Sequence, residues 1–175
     1  AKGAPYVEDD PPRPLGVYGR TKAEGEARVR AAAPEAHLIV RTAWLYGAGG
    51  KNFVDTILDV ARQGKPLRVV TDQVGCPTWN EDLAAAIVAL VARDVRGTCH
   101  ACGSGEASWW DVADEAVRAA GLDAPIERIT TEAMPRPARR PVRSVLSTER
   151  LARETGFRFP PWRESVRAYV ASCGR

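Results

Sequence analysis

Tyr18 and Lys22 are four positions apart in a proline-free stretch, so on a helix their side chains share one face. This pairing has a chemical use, because a phenol with a pKa of about 10 is a poor acid or base at neutral pH. A cation within about 4 to 6 Å favours the phenolate and lowers that pKa, which suits reversible proton transfer to a carbonyl oxygen. Solvated helix surfaces also show this spacing, so both interpretations remain open from the pair alone.

Two glycine clusters resemble phosphate-binding loops but have the wrong spacing. A G-x-G-x-x-G pattern that begins at Gly47 requires glycine at position 52, where Asn52 stands, and a P-loop requires Ser or Thr there. The second cluster runs from Gly103 to Ser108, between a predicted strand and a predicted helix, but serine replaces the third glycine. Both clusters are therefore interpreted as tight turns.

The sequence Cys99-His-Ala-Cys102 resembles half of a metal site. A structural zinc needs four ligands, and the other candidates, Cys76, Cys173 and His37, are scattered along the chain. A redox Cys-x-x-Cys lies at a helix N-terminus, whereas this one falls in a predicted strand. We therefore expect small buried thiols, and no metal site is predicted.

Four arginines lie among prolines in the stretch PRPARRPVR, namely Arg136, Arg139, Arg140 and Arg143. The stretch lacks the interleaved aromatic side chains of a base-stacking surface, so a nucleic-acid partner is not predicted. A phosphorylated small molecule and a plain solvated surface both remain open. The net charge of +3 is too mild to decide between them.

The composition is that of an ordinary globular protein, with 45% hydrophobic and 27% charged residues. No run of about 18 apolar residues is present, so no membrane association is predicted. The first residues, AKGAPYVEDDPP, lack the basic and apolar parts of a signal peptide. A cytoplasmic location is the expectation that follows.

Helix-forming stretches alternate with short β-branched stretches along the chain. Strands are predicted over residues 37–45, 67–70, 97–101 and 126–129. Helices are predicted over residues 17–33, 53–63, 148–155 and 162–171. Two further helices are predicted, one beginning at a Thr78–Glu81 capping pair and one beginning after a Ser108 cap. The alternation predicts an α/β fold, and about four strands are few for a doubly wound sheet, so we expect the chain to be incomplete at its N-terminus.

Six sequence blocks occur in a recognisable order: YVEDDPPRPLGVYGRTKAEGE, VRTAWLYG, KNFVDTIL, VVTDQVGCPTWNEDLA, GTCHACGSGEASWWDVA and RRPVRSVLST. Together they resemble the dTDP-4-dehydrorhamnose reductase family. The resemblance implies the C-terminal part of an NAD(P)-binding, Rossmann-like, doubly wound parallel sheet plus a small α/β substrate-binding lobe. It also implies reduction of the 4-keto group of dTDP-4-dehydro-L-rhamnose to dTDP-L-rhamnose with NADPH or NADH.

The resemblance assigns roles to particular residues. Tyr18 is implied as the proton donor, and Lys22 as the residue that tunes it and holds the nicotinamide ribose. Trp44 is implied to line the sugar pocket. The further candidates for contacts to the dTDP-sugar partner are Asn52, Gln73 and Arg140, the last because a guanidinium can pair bidentately with pyrophosphate. Dependence on magnesium and assembly as a homodimer are left open.

The resemblance also implies a division of the chain. Residues 1–44 end the cofactor-binding domain, 45–75 belong to the substrate lobe, 76–103 return to the cofactor-domain sheet, and 104–175 complete the lobe. The family's glycine-rich first turn and its catalytic Ser or Thr have no counterpart here, so the chain alone is expected to be inactive. The alternatives are a nucleotide-sugar epimerase or dehydratase relative and a non-catalytic binding or regulatory subunit. The intact Tyr-Lys pair favours an enzyme, and DQVGCPT favours the reductase branch.

Overall fold

The fold was analysed in a computed structural model that describes residues 2–138 and 140–173. The helices are α1 (Val17–Ala32), α2 (Phe53–Arg62), α3 (Asn80–Ala92), α4 (Trp109–Ala119), α5 (Glu149–Thr155) and α6 (Trp162–Cys173). The strands are β1 (Leu38–Arg41), β2 (Leu45–Tyr46), β3 (Leu67–Val70), β4 (Val74–Gly75), β5 (Thr78–Trp79), β6 (Gly97–His100), β7 (Ala107–Ser108) and β8 (Ile126–Ile129). Within the described ranges, no helix combines the length and the apolar character needed to cross a bilayer.

The strands form pairs that are mostly parallel. β1 pairs with β6, β2 with β5, and β3 with β8, all in parallel, whereas β4 and β7 are antiparallel. The four predicted strands correspond to the four-residue strands β1, β3, β6 and β8. The remaining strands have two residues each, which is too short to produce a readable periodicity. The α/β class expected from the sequence is confirmed.

The strand predicted over residues 37–45 differs from the expectation in two ways. It is divided into β1 and β2, because Trp44 adopts a positive φ of 46° and redirects the chain. All four residues of β1 are half-buried, whereas the sequence predicts burial on both faces. β1 is joined to α1 by the Arg41–Glu26 ion pair, and α1 buries no side chain, so this helix covers the strand only partly.

Two clusters of buried side chains are the largest in the described part of the chain. In the first, α4 packs against α2 and α6, and the buried residues include Val54, Leu58, Val112, Ala116, Val166 and Tyr169. In the second, α3 and α5 pack together and α5 packs on β6, with burial of Leu83, Ala86, Leu90, Cys99, Leu151 and Phe159. The division of the chain at residues 44, 75 and 103 stays a prediction. α5 belongs to the predicted segment 104–175, and it packs on α3 and β6 of the segment 76–103.

The starts of α4 and α3 are both predicted from capping residues, and the structure agrees with one of the two predictions. The Ser108 cap is confirmed: its Oγ accepts a hydrogen bond from Asp111 N at 3.1 Å, and Asp111 accepts one from Ser108 N at 2.8 Å. The Thr78–Glu81 capping pair is wrong, because α3 begins at Asn80. Thr78 lies in β5, and its hydroxyl donates to Cys76 O and accepts from Gly103 N, each at 3.1 Å. A tertiary contact therefore uses the hydroxyl that the sequence assigns to a cap.

The segment before α1 is anchored to two distant parts of the chain. Tyr6 N donates to Val145 O at 2.8 Å, and Ser147 N donates to Tyr6 O at 2.8 Å. The Glu8 carboxylate accepts a hydrogen bond from His100 N at 2.9 Å. These bonds hold residues 6–8 beside the carboxyl end of β6.

The His100 side chain is enclosed beside this segment. Only 1% of the residue is exposed, and neither ring nitrogen has a hydrogen-bond partner. Burial lowers the pKa of His100; the Glu8 carboxylate acts in the opposite direction, while the Arg41 guanidinium reinforces the decrease. The imidazole is therefore held neutral in the folded chain.

Replacing Ser108 by alanine should lower the free energy of unfolding by about 1 kcal/mol, the usual cost of losing an N-cap. Thr148→Ala is the matched control, since Thr148 stands at the N-cap of α5 but its side chain makes no capping bond. The control should change stability by less than about 0.5 kcal/mol. Urea unfolding of both variants measures the difference, and equal losses would contradict the assigned role of the Ser108 hydroxyl.

The free energy of unfolding should decrease as the pH falls below about 6.5, the ordinary pKa of histidine. His100 takes up its proton more readily in the unfolded chain, so acid favours unfolding, by at most about 1.4 kcal/mol per pH unit. Urea unfolding at pH 7.5 and 5.5 measures this slope, and His100→Phe should reduce it. The matched control, His37→Gln, should retain it. An unchanged slope in His100→Phe would refute the assignment.

Candidate active site

Tyr18 and Lys22 lie together on the exposed side of α1. The Lys22 Nζ atom is 5.5 Å from the centre of the Tyr18 ring, and 77% of Tyr18 is exposed. No side chain of α1 is buried. The i,i+4 spacing thus brings the Lys22 ammonium close to the Tyr18 ring, as expected. The phenol is open to an incoming molecule.

α1 is attached to the rest of the chain mainly by charged groups. The Glu26 carboxylate pairs with Arg41 at 2.6 Å and with Arg30 at 2.7 Å. Arg30 also donates to the Thr98 hydroxyl at 3.1 Å. The bond from Arg41, and after it the bond from Arg30, holds the pKa of Glu26 below its ordinary value although partial burial opposes this. Glu26 is therefore the acidic centre that fixes the helix carrying Tyr18.

Trp44 is half-buried and stacks on Trp109, the first residue of α4. The two ring centres are 3.7 Å apart and the planes differ by 8°. Phe53 packs against Trp109 in a tilted arrangement, with ring centres 4.6 Å apart. The family resemblance implies a pocket position for Trp44 but gives no role to Trp109, because no spacing rule connects the two positions. The signal available was the tryptophan pair in the block GTCHACGSGEASWWDVA.

Asn52 is used as the N-cap of α2. Its Oδ1 accepts from Asp55 N at 3.0 Å, while Nδ2 donates to Gly47 O at 3.0 Å and to the Tyr169 hydroxyl at 3.1 Å. The Tyr169 hydroxyl in turn donates to Asp55 at 2.7 Å. A contact between Asn52 and a nucleotide sugar stays a prediction, and it would compete with these internal bonds.

Gln73 is buried, with 7% exposure, and its Nε2 donates to the Thr131 hydroxyl at 2.9 Å. The neighbouring Asp72 carboxylate accepts from Thr131 N at 2.9 Å and from its hydroxyl at 2.8 Å. These bonds fix the short 3₁₀ helix Thr131–Ala133, which leads into the arginine-rich stretch. A direct substrate contact by Gln73 stays a prediction.

Arg140 is exposed, whereas Arg143 forms an ion pair with Glu106 at 2.6 Å. Arg139, which the sequence analysis included in the same cluster, lies outside the described residues. The stretch returns to the fold beside β4, where Val74 N donates to Val142 O and Ser144 N donates to Val74 O, both at 2.8 Å. Arg140 is therefore held two residues before an anchored segment.

The candidate site residues are not all gathered by direct contacts. β4 brings together the Trp44 region, through Gly75, and the segment that follows Arg140. Asn52 lies at the start of α2, and Tyr18 and Lys22 lie on α1.

Cys76, Cys99 and Cys102 are free and buried, as expected. Among the described residues, no cluster of three or more His, Cys, Asp or Glu could hold a metal ion.

Comparisons with known proteins agree over nearly the whole chain. The family profile described as the RmlD substrate binding domain matches residues 1–174. A dTDP-4-dehydrorhamnose reductase of Sinorhizobium fredii is 41% identical over 184 residues, which cover 97% of this chain and 61% of the relative. This identity is high enough to relate the two sequences along almost all of the present chain.

Two solved structures show the same fold. The crystal structure of a dTDP-4-dehydrorhamnose reductase from Clostridium acetobutylicum has a TM-score of 0.95 at 42% identity and covers 100% of this chain and 61% of that one. The structure of a dTDP-4-dehydrorhamnose reductase from Bacillus anthracis, in complex with NADP, has a TM-score of 0.89 at 32% identity and covers 96% of this chain and 59% of that one. The expected Rossmann-like fold class is confirmed.

The chain spans 61% of the length of the Sinorhizobium fredii relative and 61% of the Clostridium acetobutylicum one. The comparisons therefore describe a shared region within longer proteins. Within this chain, the profile match begins at residue 1 and ends one residue before the last. The protein belongs to the RmlD substrate-binding domain family.

Proposed function

We propose that this chain supplies the proton-transfer pair and the sugar pocket of a reductase that converts dTDP-4-dehydro-L-rhamnose into dTDP-L-rhamnose. The observation that carries the proposal is the placement of the Lys22 ammonium 5.5 Å from the ring of an open Tyr18 phenol. The relatives from Sinorhizobium fredii and Clostridium acetobutylicum, both named dTDP-4-dehydrorhamnose reductase, support the substrate. The NADP complex of the Bacillus anthracis relative supports NADPH as the cofactor.

The reaction adds one hydride to the C4 carbon of the sugar and one proton to its oxygen. When bound, the nicotinamide supplies the hydride. The Tyr18 hydroxyl donates the proton to the oxygen as negative charge develops there, and the Lys22 ammonium stabilises the phenolate that remains. Lys22 would also hold the nicotinamide ribose, which suits an exposed ammonium on the same helix face.

The other candidate residues bind the nucleotide sugar in this proposal. The half-buried indole of Trp44 provides an apolar wall for the sugar ring. Arg140 is exposed and carries a guanidinium fork that matches a pyrophosphate. Asn52 and Gln73 fix the loops around the pocket through the hydrogen bonds described above and contact the substrate as secondary ligands.

The proposal retains the division of the chain into residues 1–44 and 76–103 beside the cofactor and residues 45–75 and 104–175 around the sugar. A cytoplasmic location and a homodimer are retained with it. An epimerase or dehydratase would share the fold, and a regulatory subunit would lack a functional Tyr-Lys pair. The chain spans 61% of the length of the Sinorhizobium fredii relative. Activity is therefore tested in the full-length protein that carries this segment.

Tyr18→Phe in that full-length protein should lower kcat by about 10²- to 10⁴-fold with little change in KM, because the ring remains while the transferable proton is lost. Tyr6→Phe is the matched control: Tyr6 lies in the same N-terminal region, its hydroxyl accepts a hydrogen bond from Lys2 N, and activity should be kept. Steady-state kinetics with NADPH and the dTDP-sugar measure both. A Tyr18→Phe enzyme with more than about half of its activity would exclude the proposed role.

Lys22→Met provides a second test of the pair in the same assay. Removing the ammonium should lower kcat, because the phenolate that remains after proton transfer loses its stabilising partner. Affinity for NADPH should also decrease, since Lys22 is proposed to hold the ribose. A solvated surface lysine would leave both kcat and the NADPH affinity unchanged.

Arg140→Ala should raise KM for the dTDP-sugar by roughly 10- to 150-fold, the range for a lost charge-assisted hydrogen bond, and should change KM for NADPH much less. Arg136→Ala is the matched control, because Arg136 is an exposed arginine of the same stretch whose guanidinium contacts Met134 Sδ at 3.5 Å. Equal effects of the two substitutions would indicate a diffuse charge effect. An unchanged KM in Arg140→Ala would assign the stretch to solvated surface.

A further inference from the structure

We propose that Trp109 is a positioning residue for the reaction, which together with Gly75 fixes the indole of Trp44 as a wall of the sugar pocket. The inference rests on the proposed function, because it assigns Trp109 a role through Trp44. It also makes a structural claim that is independent of catalysis. The three residues are referred to below as the Trp44 slot.

The first wall of the Trp44 slot is the Trp109 ring. A separation of 3.7 Å between ring centres and an angle of 8° between planes mean that the two indoles overlap face to face. Aromatic pairs more often adopt offset or edge-to-face arrangements, so this overlap indicates that surrounding structure holds the rings. Phe53 supports Trp109, with ring centres 4.6 Å apart.

The second wall is the backbone of Gly75. A Cβ atom at this position would overlap Cε2 and Nε1 of Trp44, closer than any side chain tolerates. Gly75 pairs with Ala107 in the antiparallel β4–β7 ladder, two residues before Trp109. One pair of short strands therefore places both walls, and the absent side chain at position 75 leaves room for the indole.

The backbone of Trp44 is also constrained. Its φ of 46° lies in the left-handed region, which is unfavourable for a bulky residue and persists where the surroundings enforce it. Thr78 N donates to Trp44 O at 3.2 Å, and Leu45 pairs with Thr78 in the β2–β5 ladder. The backbone and the ring of Trp44 are thus fixed by separate contacts.

These contacts have a consequence for substrate selection. A half-buried indole that is free to rotate would offer the sugar ring several surfaces, whereas an indole fixed by Trp109 and Gly75 offers one. The sugar is then accepted in one orientation relative to Tyr18. Trp109 acts through Trp44, so its loss should weaken sugar binding without removing a chemical group.

Far-ultraviolet circular dichroism of the full-length protein tests the geometry, because the strong far-ultraviolet transitions of two indoles in contact couple and produce an exciton couplet. The couplet should disappear in Trp44→Phe and in Trp109→Phe. Trp110→Phe is the matched control, since Trp110 faces Arg128 at 3.9 Å and donates to Ile126 O at 3.1 Å, outside the slot. A couplet that persists in Trp109→Phe, or one that is lost equally in Trp110→Phe, would overturn the proposed slot.

Kinetics of the same proteins test the positioning role. Trp109→Ala should raise KM for the dTDP-sugar by about 3- to 10-fold, in line with the strength of an aromatic pair, and leave KM for NADPH unchanged. Trp109→Phe should restore KM to within about twofold, because a smaller ring still supports the indole. Unchanged sugar KM in Trp109→Ala, or equal losses for sugar and NADPH, would overturn the role.

A further variant keeps the test informative if Trp109→Ala does not fold. Gly75→Ala should displace the indole from the other wall, weaken the couplet and raise sugar KM in the same direction, and wild-type values of both would contradict the proposal. The test of the Trp44 slot can be separated from the test of the proposed function. An active Tyr18→Phe enzyme would refute the proton-transfer role while leaving the couplet intact, whereas an unaffected Trp109→Ala enzyme would refute the positioning role alone.

Discussion

The close approach of the Gly75 backbone to the Trp44 indole is the constraint on which the rest of the candidate site depends. β4 has only two residues, yet it contacts three distant segments: Trp44 through Gly75, β7 through an antiparallel ladder, and residues 142–144 through the backbone of Val74. Because interiors are close-packed, a side chain at position 75 would have to displace one of these neighbours. The block DQVGCPT thus has a physical reason for its glycine.

A different kind of interaction holds the helix that carries Tyr18 and Lys22. α1 buries no side chain; its Glu26, whose side chain is 16% exposed, pairs with Arg41 of β1, and its Arg30 donates a hydrogen bond to Thr98 of β6. Such partly desolvated ion pairs are less screened than surface pairs, so they can fix a helix that has little apolar contact. The helix that carries Tyr18 is consequently held by the Glu26–Arg41 ion pair and the Arg30–Thr98 hydrogen bond, whereas Trp44 is held by packing.

The candidate residues divide by how far their polar groups are already engaged. Asn52 and Gln73 use their amides inside the protein, as a helix cap and as a partner of Thr131. Tyr18, Lys22 and Arg140 are exposed. The first group shapes the loops, and the second is the group to which the proposed function assigns contacts with the nucleotide sugar and the nicotinamide cofactor.

The sequence by itself determined those features that depend on local spacing. The i,i+4 relation of Tyr18 and Lys22, the four longer strands, the Ser108 cap and the α/β class all follow from short-range rules. The ordered sequence blocks also identified the family, because they occur in the same order over nearly the whole chain. Each of these is a property of neighbouring residues or of the order of motifs.

Tertiary structure alone decided the features that depend on residues far apart in the chain. The stacking of Trp109 on Trp44, the enclosure of His100 beside Glu8, and the use of the Thr78 hydroxyl by Gly103 are contacts that no periodicity encodes. Two-residue strands such as β4 are too short to be recognised, and they exist because a partner strand satisfies their backbone groups. Local propensity therefore specified the helices and the longer strands, whereas long-range packing and hydrogen bonding decided which side chains meet in the site.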